Sequence, residues 1–95
     1  MNIGPQARTV ICSDDAEEIL KKEIENNPGL DLLYQRLEWI LSRAPYRGMK
    51  LDYPDHDFLL YELVPNRDDL PTIQAVYTVQ ENKVIIEFLN LDYSE

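Results

Sequence analysis

The sequence predicts an α+β fold, with two N-terminal helices packed on an antiparallel sheet of three to four strands in the order β-α-α-β-β-β. Three observations carry this. A chain of 95 residues is long enough for one hydrophobic core and too short for two, so residues 1–95 read as a single domain. Leu30, Leu33, Leu37, Ile40, Leu41 and Ala44 recur at three and four residues, the repeat of a helix with one apolar stripe. After Phe58 the repeat changes to the short, β-branched and alternating runs of strands.

Taken in order, residues 1 to 7 contain Gly4-Pro5 and read as a flexible tail. Arg8 to Cys12 is a short β-branched run that reads as a strand. Ser13-Asp14-Asp15 offers cap oxygens, and Asp14-x-x-Glu17 has capping-box spacing, so a helix should start near residue 14. Ala16, Ile19, Leu20 and Ile24 form its apolar face, and Asn26-Asn27-Pro28-Gly29 stops it. The second helix runs from Leu30 to about Arg43. At about 100° per residue, Leu32, Arg36, Trp39 and Arg43 fall together on a side away from the stripe's centre. Two readings of that side are open. Leu32 and Trp39 either pack on the first helix, or they form an exposed patch of aromatic and arginine for a partner.

Ala44 to Gly48 ends the helix, and Leu51 to Asp57 reads as a polar connection with the only histidine, His56, as a loop residue. Strands follow at Phe58–Val64, at Thr72–Val79 and, after the polar break Gln80-Glu81-Asn82, at Lys83–Leu89. Ile73, Ala75, Tyr77 and Val79 share one face of the middle one. Apolar residues on both sides of the last strand predict a central, doubly covered position beside residues 8 to 12.

Charge restricts function further. The net charge is −9, and residues 51 to 95 hold ten acidic and two basic side chains against eight and seven in residues 1 to 50. Counterion release on nucleic acid needs several cations on one face, so direct nucleic-acid binding by the acidic C-terminal half is not expected. The basic side chains Arg36, Arg43, Arg47 and Lys50, with Trp39, form the one candidate anion- or partner-binding patch. No apolar run reaches about 18 residues and no signal-peptide pattern opens the chain, so a cytoplasmic protein is expected, without membrane contact and with Cys12 reduced. Glycines Gly4, Gly29 and Gly48 are isolated and no ligand cluster stands at metal spacing, so neither cofactor nor metal is expected.

From about Leu33 to Asp92 the pattern resembles the RelE/ParE superfamily of bacterial toxins. The residues that carry the likeness are the Arg- and Pro-containing end of the second helix, Phe58 to Val64, Pro71-Thr72-Ile73-Gln74-Ala75-Val76-Tyr77, and the hairpin into Lys83-Val84-Ile85-Ile86-Glu87-Phe88. The resemblance implies two helices on a small antiparallel sheet, and neutralisation by an antitoxin protein that wraps a helix or strand around the toxin. It also implies, as targets, messenger RNA on the ribosome or DNA gyrase. Cleaving members gather Lys and Arg around the sheet, with a Tyr or His near the C-terminus as proton carrier. By that likeness Tyr93 and Arg47 are the catalytic candidates. This chain departs from the pattern at Gln74, where relatives have the Arg of Arg-x-x-Tyr, and at the acidic ending Asn90-Leu91-Asp92. A phenol of reference pKa about 10 beside Asp92 and Glu95 is poorly poised for proton transfer. The expectation is a toxin-like component of a toxin-antitoxin module in which ribosome-dependent RNA cleavage is doubtful. The alternative is a non-enzymatic acidic adaptor for a basic protein.

Overall fold

The computed structural model describes residues 7–93; the Gly4-Pro5 segment lies outside the described residues. Strand β1 (Thr9–Cys12) leads into α1 (Asp14–Asn26) and α2 (Gly29–Arg43), then a 3-10 turn at Pro45–Arg47. Strands β2 (Met49–Lys50), β3 (Leu59–Leu63), β4 (Thr72–Val79) and β5 (Lys83–Asp92) follow. All five strands make one sheet, in the order β1-β5-β4-β3-β2.

The sheet is therefore larger than the three or four strands expected, and it is mixed. β1 lies parallel to β5, with Thr9 opposite Lys83 and Cys12 opposite Ile86, whereas the other pairs are antiparallel. Two helices separate β1 from the meander, so the short first strand docks on the free edge of the long last strand instead of continuing a hairpin. The additional strand, β2, holds only two residues, opposite Leu59 and Leu60. A run so short and exposed carries no period.

Both helices cover the same face of the sheet. Leu30, Leu37 and Leu41 of α2 are fully buried against a core that includes Ile73 and Tyr77 of β4 and Ile86 of β5. α1 contributes Ala16 and Leu20, while Ile19, expected on its apolar face, is exposed. At about 100° per residue Ile19 sits roughly 60° from Ala16, on the side turned away from Leu20 and Ile24. The hairpin reading of α2 fails as well: Leu32 is 71% and Trp39 59% exposed. Each helix directs its apolar stripe at the sheet, which leaves the second side of α2 to solvent.

The cap of α1 is Ser13, one residue ahead of the expected box. Its hydroxyl accepts from Ala16 N–H at 3.2 Å and donates to the Glu87 carbonyl at 2.8 Å, and its own N–H donates to the Ile86 carbonyl. That second contact pins a β-bulge. Val76 pairs with Phe88 but Tyr77 pairs with Ile86, so Glu87 is an extra residue in β5. The bulge switches the phase of the strand, with Val84 and Ile86 facing the core before it and Leu89 after it. β5 is central, between β1 and β4 as expected, yet it is covered on one face only: Phe88 is 59% exposed.

Candidate partner-binding site at the end of the second helix

On α2 the exposed strip Leu32, Arg36, Trp39 and Arg43 runs along about 16 Å of helix. The Arg43 guanidinium lies over the Trp39 ring, 4.5 Å from its centre. Such stacking holds both side chains in one geometry while leaving the indole and the charge available to a partner. A second pair of the same kind lies alongside, with the Arg8 guanidinium 5.8 Å from the centre of the exposed Tyr46 ring.

Arg8 is fixed by the backbone of two distant elements. Its N–H donates to the Ser42 carbonyl at 3.0 Å, the Ser42 hydroxyl donates to its carbonyl at 2.7 Å, and its Nε donates to the Gln80 carbonyl at 3.1 Å. Tyr46 and Arg47 ride on the 3-10 turn, which Tyr77 fastens from below. The buried Tyr77 hydroxyl donates to the Pro45 carbonyl at 2.6 Å and accepts from Gly48 N–H at 3.1 Å. A side chain at Gly48 would run into that hydroxyl, and would meet the Leu60 carbonyl at 2.8 Å. Lys50, exposed in β2, borders an open cavity of about 320 Å³ together with Tyr46, Asp57 and Leu59. The ion pairs among the described residues, Lys21–Glu17 and Arg67–Asp69, leave this region untouched.

Arg36, Trp39, Arg43, Arg47 and Lys50 thus lie on or just beyond α2, joined by Arg8 and Tyr46. The latter two were not among the sequence candidates. Arg8 is 35 residues from Arg43 in the chain, and no local period signals a contact that the sheet alone creates.

Tyr93 lies elsewhere. Asp92 pairs with Thr72, whereas Lys50 sits in the row of Leu59 and Tyr77, so the two ends are separated by the five steps of β4 from Thr72 to Tyr77, about 17 Å. Tyr93 and Arg47 do not share one site. The Tyr93 hydroxyl donates to Glu23 of α1 at 3.3 Å. Its pKa is raised by burial first; a hydrogen bond with Asn27 pulls it down and the Glu23 carboxylate pushes it up. Gln74 lies mid-sheet on the face away from the helices. It donates to Glu62 at 2.7 Å and accepts from Asn90 at 2.7 Å, a ladder of side chains across three strands.

No family model, curated protein or solved structure matches this chain. What the region can do follows from its own chemistry. Two cations stacked on exposed rings, flanked by Arg36, Arg47 and Lys50, suit a surface bearing carboxylates, phosphates or aromatic rings. A cleft of about 400 Å³ between the helices holds Cys12, hydrogen-bonded to the Tyr34 hydroxyl. Burial raises the pKa of both groups, and the neighbouring Glu17 and Glu38 add to it, so the thiol stays protonated and a poor nucleophile. Among the described residues no helix is long and apolar enough to cross a membrane.

Proposed function

We propose that this chain is a toxin-like component of a bacterial toxin-antitoxin module, held by a protein antitoxin, which acts by binding its target rather than by cutting messenger RNA. The observation that favours binding over cleavage is the Glu62–Gln74–Asn90 ladder, while the toxin-like part of the reading rests on the resemblance in element order. By the RelE/ParE resemblance a cleaving member would place an arginine at the position of Gln74. Here the position is neutral, and its amide is engaged on both sides, one partner being a carboxylate. A cluster able to steady charge on a phosphate is replaced by one that repels it. The target-facing surface is the aromatic and basic end of α2, where Arg43 and Arg47 would meet the ribosome or gyrase.

Inducible expression in bacteria, following growth and full-length messages together, tests this. Growth should slow with messages intact, and replacing Arg43, Arg47 and Lys50 together by Ala should relieve the slowing while the protein stays folded. Cleaved messages would overturn the binding mechanism.

A second reading, an acidic adaptor for a basic protein, is favoured by one separate feature, the apolar and acidic open face of the sheet. Normal growth with a folded, soluble product would remove the toxin reading and leave this one.

A further inference from the structure

The face of the sheet opposite the helices carries two apolar rows. Met49 pairs with Leu60, Leu60 with Val76, and Val76 with Phe88, so one row crosses four strands. Ile11 pairs with Ile85 in a second row beside it. Met49 is 62% exposed and Phe88 59%, with no element of the described chain over them. Without the bulge at Glu87, Phe88 would point into the core; the strand irregularity is what places an aromatic ring outside. Scattered exposed apolar residues need no explanation, but contiguous rows on one face mark a surface meant to be covered.

We infer that this open face binds an amphipathic helix of a basic partner protein, laid across the strands. The inference rests on the reading that the chain works by binding a protein, in either form given above. Strands lie about 4.8 Å apart, so the row from Met49 to Phe88 spans about 14 Å. A helix repeats one face every 5.4 Å or so, and apolar residues at i, i+4 and i+7 would meet successive strands. Three turns cover the row, with Phe88 as the aromatic anchor.

Charge selects the partner. Glu87, whose carboxylate lies 3.5 Å from Thr78 Oγ1, stands between the two rows, and Glu62 borders the Met49–Phe88 row on its outer side. Lys83 stands at the far end, opposite Thr9. Of the charged side chains in the second half of the chain, Glu62, Glu87 and Asp92 lie in the strands that build this face, against the one cation Lys83. A second copy would bring the same carboxylates into contact, and nucleic acid or an anionic lipid surface would be repelled. Lys and Arg flanking an apolar stripe complement it.

The test uses the full chain and a labelled synthetic amphipathic peptide of Leu and Lys, about 18 residues long so that it is helical on binding. Its counterpart of Leu and Glu serves as control. The basic peptide should bind, more weakly at high salt, with backbone amide shifts centred on Leu60, Val76 and Phe88. Met49→Ala with Phe88→Ala should weaken binding about tenfold or more with an unchanged melting temperature, because both side chains are exposed. Binding that ignores these substitutions, shifts that map to α2, equal binding of the acidic peptide, or self-association that the double variant abolishes would each overturn the inference. Growth arrest without peptide binding would keep the proposed function and lose this face. Binding without arrest would keep the face and lose the toxin reading.

Discussion

At Tyr77 one phenol holds together two parts of the molecule. Its ring is fully buried in the core, and its hydroxyl closes the turn that presents Tyr46 and Arg47. Removing the hydroxyl strands a buried carbonyl at Pro45 and an N–H at Gly48, and the cost of such orphaned groups is about 1–3 kcal/mol. Tyr77→Phe should lower the urea midpoint accordingly without changing the denaturant slope. The same residue illustrates how far a single position is legible. Alternation with Ile73 and Ala75 places Tyr77 in the core, but its partner Pro45 lies 32 residues away and only the folded sheet brings it near. Gln74 is similar: its neutrality is evident in the chain, its engagement with Glu62 and Asn90 is not.

At the scale of the element, α2 has two sides of opposite consequence. Leu37 is fully buried and Trp39 mostly exposed, although they stand two residues apart. Leu37→Ala should cost about 2–5 kcal/mol through the cavity it leaves, whereas Trp39→Ala should change stability by no more than about 0.5 kcal/mol. Chemical denaturation of the two variants measures both. As the only tryptophan, Trp39 should also emit as a solvated indole in the native protein and be quenched readily by acrylamide. Apolar periodicity identifies the stripe, because burial against any neighbour demands it. The fate of the other side depends on whether α1 lies against it, which local spacing does not encode. β5 shows the converse limit: its apolar residues on both sides suggest double covering, while a one-residue bulge pinned by Ser13 turns Phe88 outward instead.

For the whole molecule, pH reads out the buried acids. Burial is the first cause that raises the pKa values of Cys12, Tyr34 and Tyr77. The unfolded chain releases the thiol proton near 9.0 and the phenol protons near 10.0, while the folded chain retains them. The unfolded state then binds fewer protons, so stability falls as pH rises. It is fully present below about pH 9 and declines above it. Melting temperatures measured from neutral to alkaline pH should show this decline, and Cys12→Ala with Tyr34→Phe should reduce it to the part that Tyr77 contributes.

The sequence by itself determined the two helices, the three longer strands, the α2 stripe and the acidic second half, because periodicity and charge are local properties that hydrophobic burial and solvation act on directly. Tertiary structure decided that β1 runs parallel to β5, that Arg8 and Tyr46 join the basic end of α2, that Tyr93 lies far from Arg47, and that an apolar sheet face stays open. Each of these depends on which distant segments pair and on which face the helices cover. Those choices are made by the competition of long-range contacts for a single core, which no short window of residues contains.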